Sequence, residues 1–217
     1  MTLWLATTNT HKTKEIKSFF KNTPTLRFLD LSDINCKNYI PPEETGSTFK
    51  ENAGIKSAGL LKFLKDSNLS LPKPLWIVGE DSGLEVKVLK GKPGIYSARY
   101  SGPQATDQKN NQLLLKNLLG KTDRIARYVC VFSCQPLTEN SQELSSSETK
   151  EFIFEGFCHG SITVEEKGVN GFGYDPLFIP QGETKTFGEL SHQFKESISH
   201  RIQALKKLAD TLKVEGK

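Results

Sequence analysis

The sequence predicts an α/β fold in a chain large enough for a sizeable core. Its 217 residues suffice for one domain or for two lobes that share one sheet. Short apolar runs typical of buried strands occur at residues 1–6, 26–31 and 75–78. Segments with the helical spacing of apolar residues, such as 47–65 and 106–119, lie between and after them. This alternation of strand and helix patterns is the α/β signature.

The composition is that of an ordinary globular protein. Hydrophobic residues make up 36% of the chain and charged residues 25%. A net charge of +4, from 29 basic and 25 acidic residues, is too mild to indicate a nucleic-acid partner. The longest apolar runs are too short to span a membrane, and the first residues lack the pattern of a signal peptide. We therefore expect neither nucleic acid nor membrane as a partner.

The cysteines and histidines predict no disulfide framework and no zinc site. Cys36, Cys130, Cys134 and Cys158 contain no CxxC pair, and we expect small buried apolar side chains in a reducing cytoplasm. His11, His159 and His192 lack metal-ligand spacing.

The first strand ends at Ala6 and runs into a polar loop and an amphipathic helix. Ile16, Phe19 and Phe20 recur at helical spacing in that helix. A helix N-terminus after a strand can bind phosphate through its free amides, and Lys12 could neutralise phosphate charge. Plain N-cap chemistry explains the same threonines and asparagine. No Walker pattern is present.

A loop rich in acids and helix breakers, residues 41–47, precedes the long helix of residues 47–65. Ser47 or Thr48 with Glu51 approximates a capping box. Lys56 follows Glu51 by about one turn, which leaves both a surface and a functional lysine open.

Residues 79–102 are the most informative stretch. The strand of residues 75–78 is expected to end in Glu80 and Asp81, just before Ser82 and Gly83. Carboxylates at a strand end lie where a sheet presents catalytic groups. A second, hairpin-like strand is expected at 84–89, and hydroxyls and one guanidinium follow at 97–101. These groups suit a phosphate ester bound through Mg²⁺, although an acidic surface turn and a polar loop explain the same residues.

The following segments support the fold more than the chemistry. A helix is expected at 106–119 with Gly120 as its cap, and strands at 125–132 and 151–158. The serine-rich residues 138–150 between these strands predict a loop without chemistry.

The last third contains two clusters suited to a nucleobase. In the glycine-rich residues 168–176, Phe172 or Tyr174 could stack on a base and Asp175 could contact its edge. Glycine-turn packing explains the same loop. A short strand is expected at 177–179, and Lys195, His200 and Arg201 then form a donor-rich patch. The final helix carries an apolar stripe of Ile198, Ile202, Leu205, Leu208 and Leu212.

Five blocks, in order, resemble the inosine triphosphate pyrophosphatase family, the Ham1-like purine nucleoside triphosphate pyrophosphatases, and its bacterial members above all. The blocks are ATTNTHK, EETGSTFKENA, EDSGLEVKVLKGKPGIYSARYSG, GFGYDPLFIP and KESISHR. The resemblance implies a long, twisted mixed β-sheet flanked by helices, forming one domain over residues 1–217 with two lobes and a central cleft. It also implies an Mg²⁺-dependent homodimer that hydrolyses ITP, dITP and XTP to the monophosphate and pyrophosphate.

The resemblance also assigns roles residue by residue. Asp81 and Lys56 would be catalytic, and Asp81 would share the metal with Glu43 or Glu44. The remaining substrate-binding residues would be Thr7, Thr8, Asn9, Thr10, His11, Lys12 and Ser82 in the first half of the chain. In the second half they would be Phe172, Gly173, Tyr174, Asp175, Lys195, His200 and Arg201.

This sequence departs from the family pattern at a few positions. Glu80 stands where the family usually has aspartate, and Thr8 and His11 stand where glycines are common. The serine-rich loop is longer than expected. Two other functions remain open: a Maf-like nucleotide pyrophosphatase with another base preference, and a non-enzymatic nucleotide or RNA binder.

Overall fold

The described part of the chain forms an open six-stranded sheet. The computed structural model describes residues 1–32, 38–67, 71–72, 74–137 and 150–213. The strands are β1 (Thr2–Leu5), β2 (Arg27–Leu29), β3 (Leu75–Val86), β4 (Ile125–Leu137), β5 (Phe152–Ile162) and β6 (Phe178–Pro180), in the order β2-β1-β3-β4-β5-β6. β1 pairs in parallel with β2 and β3, whereas β5 and β6 are antiparallel. The sheet is therefore mixed, as predicted.

Helices connect most of these strands. They are α1 (Thr10–Phe19), α2 (Phe49–Asp66), α3 (Asp107–Asn117), α4 (His192–Ile198) and α5 (His200–Leu212). Short 3₁₀ helices span Lys87–Leu89 and Gly94–Arg99. Side-chain caps begin the main helices: Thr48 and Glu51 form the predicted capping box of α2, and Thr106 caps α3. The α/β class and the three helices predicted up to residue 119 are confirmed.

The prediction of two strands in residues 75–89 is wrong. β3 runs without interruption from Leu75 to Val86, and residues 87–89 are a 3₁₀ helix. Glu80 and Asp81 therefore lie in the middle of a strand and not at its end. Ser82 and Gly83 lie within this strand and do not break it.

Other boundaries also differ from the sequence patterns. β4 continues to Leu137 and β5 to Ile162, beyond the predicted ends at 132 and 158. Ile198 ends α4 and does not lie on the stripe of α5, since Ser199 separates the two helices. Cys36 and most of the predicted loop, residues 138–149, lie outside the described residues.

The described contacts divide the chain into two compact units, each with its own core. Unit 1 comprises Met1–Asp81, Val131–Glu155 and Ala204–Lys217, and unit 2 comprises Ser82–Cys130 and Gly156–Gln203. In unit 1, Trp4, Leu60 and Ile77 belong to one buried cluster. In unit 2, Leu84 and Leu114 pack with the aromatic residues Tyr128, Tyr174, Phe178 and Phe187. The single domain with a central cleft stays a prediction.

Two further expectations concern cysteines and membranes. Cys130, Cys134 and Cys158 are free and buried, as predicted, and burial raises the pKa of the Cys158 thiol to about 12. Within the described ranges, the helices include none long and apolar enough to cross a membrane.

Candidate functional site

The acidic pair of β3 lies beside the carboxyl end of β1. The register pairs Leu5 with Val78, and the Ala6 amide donates to the Val78 carbonyl at 2.8 Å. Past this point β1 turns away into the loop that leads to α1. Glu80 and Asp81, which follow on β3, are only 2% and 5% exposed. The rule that sites form at the carboxyl ends of parallel strands therefore applies here through β1.

Gly79 brings the middle of α2 against β3. A Cβ atom at residue 79 would lie 2.1 Å from the Ala53 carbonyl oxygen and 2.7 Å from the Ser57 amide nitrogen. Only glycine therefore permits this approach. The consequence is that Lys56, on the same helix, reaches the acids of β3. Its Nζ lies 3.0 Å from Asp81 Oδ1 and donates to the Glu80 carbonyl at 3.1 Å.

The acidic loop before α2 contributes Glu44 to the same cluster. Glu44 Oε1 lies 3.1 Å from Lys56 Nζ, whereas Glu43 is exposed. The loop is anchored on the first turn of α2, where Asn52 Oδ1 accepts from the Gly46 amide at 2.9 Å. Glu51 accepts from Ser47 and Thr48 on the same turn. Of the two acids proposed for a metal, Glu44 thus contacts the ammonium group that also contacts Asp81.

Lys12 joins the cluster from α1, and the loop before it is held by the cap of that helix. Lys12 Nζ lies 2.7 Å from Glu80 Oε2. Asn9 Oδ1 accepts from the amides of His11 and Lys12 at 3.0 and 3.1 Å. Plain N-cap chemistry is therefore present, and a phosphate role of this loop stays a prediction. Thr8, Asn9, Thr10 and His11 are exposed, and Thr7 is half-buried.

The charges of this cluster are unequal. Lys12 and Lys56 face the carboxylates of Glu44, Glu80 and Asp81, which leaves a surplus of one negative charge. Burial lowers the pKa of Lys56, but its three carboxylates outweigh burial and raise the pKa overall. Burial raises the pKa of Asp81 and outweighs the attraction of Lys56 and Lys12. Lys56 is thus kept charged by its carboxylate neighbours, whereas burial makes the charged form of Asp81 unfavourable.

Asp81 also has an oxygen without a protein partner. Its Oδ2 is buried and accepts no hydrogen bond from the described part of the chain. An unpaired buried carboxylate oxygen is costly, so a ligand at this atom would stabilise it. Over residues 1–32, 38–67, 71–72, 74–137 and 150–213, no three His, Cys, Asp or Glu side chains are grouped to hold a metal.

The hydroxyls at 97–101 serve the structure of unit 2. Ser97 Oγ accepts from the Leu84 amide and donates to the Gly94 carbonyl. Ser101 Oγ donates to Asn110, and Tyr100 Oη accepts from Asn117 at 2.8 Å. These side chains tie the 3₁₀ segment to β3 and α3, so the sequence-based prediction that they suit a phosphate ester is not supported by their contacts.

Asp175 is the centre of the second polar cluster, which lies within unit 2. It is 1% exposed, and its Oδ2 accepts from Lys195 Nζ at 2.5 Å and from the Phe172 amide at 2.9 Å. Gly171, with a φ of +79°, makes this possible, since a Cβ there would lie 2.0 Å from Asp175 Oδ2. Lys195 Nζ also lies 4.5 Å from the Phe172 ring centroid.

The other residues predicted to contact the base fall into two groups, one on α5 and one in the glycine-rich loop. His200 and Arg201 lie in the first turn of α5, as predicted, and are 5% and 1% exposed. Arg201 Nη2 donates to Ser82 Oγ at 3.1 Å, so the predicted contact residue Ser82 and the donor patch do meet. Tyr174 instead donates to the Ser97 carbonyl and packs in the core, while the Gly173 amide donates to Asp107. Tyr174 is thus better suited to holding the loop than to stacking on a base.

Sequence reasoning missed two residues that shape these clusters. Gly79 immediately precedes the acids inside a strand, and an isolated glycine in a strand signals close backbone approach. Tyr128, whose hydroxyl donates to Asp175 Oδ1 at 3.3 Å, gave no signal except a polar tip within an apolar strand.

Comparison with known proteins agrees with this architecture. The sequence pattern of the Ham1 family matches residues 3–211. The chain belongs to the Ham1 family. Among its relatives, the dITP/XTP pyrophosphatase of Bdellovibrio bacteriovorus is 38% identical over 214 residues, 98% of each chain. That of Protochlamydia amoebophila is 39% identical and covers 96% of each chain.

Solved structures of Ham1 proteins share the fold. The Staphylococcus aureus Ham1 protein matches this Ham1-family chain with a TM-score of 0.79 at 36% identity, over 98% of both chains. A HAM1 protein from Coxiella burnetii gives a TM-score of 0.80 at 33% identity, again over 98% of both. The predicted resemblance is therefore confirmed, and family membership favours it over the Maf-like alternative.

Proposed function

We propose that this Ham1-family chain hydrolyses the triphosphates of non-standard purines, ITP, dITP and XTP, to the monophosphate and pyrophosphate. The observation that carries the proposal is the buried cluster around Asp81. Two lysines there face three carboxylates, and the described residues donate no hydrogen bond to the buried Asp81 Oδ2. Its relatives named dITP/XTP pyrophosphatase cover nearly the whole chain, which supports the same substrate class.

Lys12 and Lys56 would hold the phosphates. Each ammonium has three donors, and the Lys12 and Lys56 side chains are 14% and 15% exposed. Because Lys56 already contacts Glu44, Asp81 and the Glu80 carbonyl, it would exchange one of these contacts for a phosphate oxygen. Thr7, Thr8 and Asn9 precede α1, and Thr10 and His11 form its first turn, where the helix dipole favours negative charge.

Asp81 would act as the general base. A water attacks the α-phosphorus, the new O–P bond forms as the bond to the bridging oxygen breaks, and pyrophosphate leaves. The proton of the water passes to the Asp81 carboxylate. Because burial raises the pKa of Asp81, its carboxylate holds that proton more readily than an exposed aspartate would.

The residues of this cluster suit Mg²⁺. Mg²⁺ takes oxygen ligands and typically binds one or two carboxylates together with substrate phosphates, so a larger protein cage is unnecessary. Asp81 and Glu44 would hold it, with Glu43 as the exposed neighbour. When bound, the ion would neutralise phosphate charge and lower the pKa of a water.

The Asp175 cluster would recognise the purine base. Phe172 offers a ring face, and Lys195, His200 and Arg201 offer donors. Arg201 cannot become an acceptor at physiological pH, so it suits the 6-oxygen of hypoxanthine or xanthine and opposes the 6-amino group of adenine. Sites with buried donors reject analogues that leave those donors unpaired. Gly173 and Tyr174 shape the loop, and Ser82 supports Arg201.

The assembly and location belong to the same proposal. We expect a homodimer in the cytoplasm, where the buried thiols of Cys130, Cys134 and Cys158 would stay reduced.

Pyrophosphate release from ITP, XTP, GTP and ATP, with and without Mg²⁺, tests the proposal. We expect ITP and XTP to be cleaved much faster than ATP, and only with Mg²⁺. Rejection of GTP must depend on its 2-amino group, because GTP also has a 6-oxygen. Equal cleavage of ATP and ITP would contradict the proposed base recognition. Nucleotide binding without hydrolysis would indicate a non-enzymatic nucleotide binder.

A further inference from the structure

Tyr128 connects two elements of the Asp175 cluster that are far apart in sequence. It lies on β4 and is 7% exposed. Its hydroxyl donates to Asp175 Oδ1 at 3.3 Å. Its ring stacks face to face on the His200 imidazole, with 4.7 Å between centroids and a 10° interplanar angle. One side chain thus contacts the glycine-rich loop and the first turn of α5.

The hydroxyl of Tyr128 is not needed for packing. The ring also contacts Phe178 and Phe187 in the core of unit 2, where phenylalanine would fill the same space. Burying a hydroxyl costs free energy unless it is hydrogen-bonded. The hydroxyl donates to Asp175, so the hydrogen bond to that carboxylate accounts for a buried hydroxyl at this position.

Asp175 is held from both of its oxygens. Lys195 and the Phe172 amide donate to Oδ2, and Tyr128 donates to Oδ1. Donors on both oxygens fix the plane of a carboxylate, whereas donors on one oxygen leave it freer to rotate. Burial raises the pKa of Tyr128 well above its usual value, and the nearby Asp175 raises it further, so the tyrosine stays a donor at physiological pH.

We propose that Tyr128 is a positioning residue for base recognition, orienting Asp175 through its hydroxyl and His200 through its ring. This inference rests on the proposed function, because it assigns the base to the Asp175 cluster. Tyr128 itself is buried behind these groups and is not a catalytic residue. Its removal should therefore weaken contacts to the base and leave contacts to the phosphates unchanged.

Tyr128→Phe separates the hydroxyl from the ring. Two ligands are used: IMP, which carries the base, and inorganic tripolyphosphate, which has none. We expect the Kd of IMP and the KM of ITP to rise by about threefold to tenfold, the effect of one long hydrogen bond to a charged group. Tripolyphosphate inhibition and kcat should stay within about twofold of wild type.

Tyr100→Phe is the matched control. It also removes one tyrosine hydroxyl from unit 2, but that hydroxyl accepts from Asn117 on α3. We expect wild-type Kd and KM values for this control. Tyr128→Leu removes the ring as well and should weaken IMP more than Tyr128→Phe does, together with a shifted His200 imidazole signal in NMR spectra.

Two results would overturn the inference. Unchanged IMP binding in Tyr128→Phe would show that the hydroxyl positions nothing relevant, and equal weakening of IMP and tripolyphosphate would show a general structural role. If Tyr128→Leu fails to fold, Tyr128→Phe alone decides, since it keeps the ring. Failure of the wild type to cleave ITP would instead refute the proposed function, while IMP binding would still test Tyr128.

Discussion

Replacing Asp81 with asparagine should lower kcat sharply without destabilising the fold. The cluster holds two lysines against three carboxylates, so Asp81→Asn leaves equal charges. Lys56 keeps Glu44 at 3.1 Å and the Glu80 carbonyl at 3.1 Å, so no unpaired cation is buried. We expect the free energy of unfolding at pH 7 to change by less than about 1 kcal/mol. The kcat should fall about a hundredfold or more, about 2.7 kcal/mol in activation free energy.

The pH dependence of stability has a definite sign. Burial raises the pKa of Asp81 in the folded chain, above the unfolded value of about 3.9. The stability contributed by its protonation is complete below the unfolded pKa and is lost as pH rises through the folded pKa. Asp81→Asn lacks this titration. Across that window, wild type should therefore lose stability relative to the variant as pH rises.

Urea unfolding between pH 3.5 and 7, together with pyrophosphate release from ITP, measures both effects. Lys56→Met changes the charge balance in the opposite direction, because it leaves three carboxylates in the cluster with Lys12 as the one remaining lysine. Lys56→Met should lower the free energy of unfolding by about 2–3 kcal/mol. This is somewhat less than the loss on breaking a fully buried ion pair, since Glu44 is 30% exposed. Near-normal turnover in folded Asp81→Asn would refute its catalytic role. If Asp81→Asn lost as much stability as Lys56→Met, the argument that Asp81→Asn balances the charges of the cluster would be refuted.

Three further substitutions test the other parts of the proposal. Lys12→Ala should raise KM for ITP and XTP by similar factors, and a change only in the ratio between them would argue against a phosphate role. Arg201→Ala should lower the ITP-to-ATP ratio of kcat/KM by about tenfold or more. Arg201→Lys, which keeps the charge, serves as a folded comparison. An unchanged ratio would contradict the role of Arg201 in base recognition. Gly79→Ala would place a Cβ 2.1 Å from the Ala53 carbonyl oxygen. The free energy of unfolding measured in urea should therefore fall by about 3 kcal/mol or more. An unfolding midpoint equal to that of wild type would disprove this steric account.

The sequence predicted which candidate residues lie close together better than it predicted their positions within the strands. Asp81, Lys56 and Glu44 meet as expected, although the acids were expected at a strand end. Local patterns indicate where apolar residues alternate, but strand length depends on pairing with distant strands. β3 continues past Ser82 and Gly83 although β1 pairs with it only as far as Val78, and on its other side it lies next to β4 in the sheet.

Contacts between distant segments set the limit of what the sequence can show. The hydrophobic period predicted α2, and Ser47 or Thr48 with Glu51 predicted its capping box, because both features depend on residues that are close in sequence. Nothing in that period indicates that Tyr128 meets Asp175, 47 positions further along the chain. The same holds for Arg201 and Ser82, which are 119 positions apart.

Glu80 shows how one departure from the family pattern fits this structure. The family resemblance places aspartate at this position, and the glutamate side chain is one methylene longer, which would alter the geometry of a metal bound by residue 80. In the structure the carboxylate of Glu80 extends to Lys12 on α1, with Oε2 2.7 Å from Nζ, and its side chain is 1% exposed. A shorter aspartate would fall short of this contact by about the length of one methylene. Glu80 therefore serves to hold Lys12 beside Asp81, which leaves Asp81 and Glu44 as the carboxylates that would face the metal.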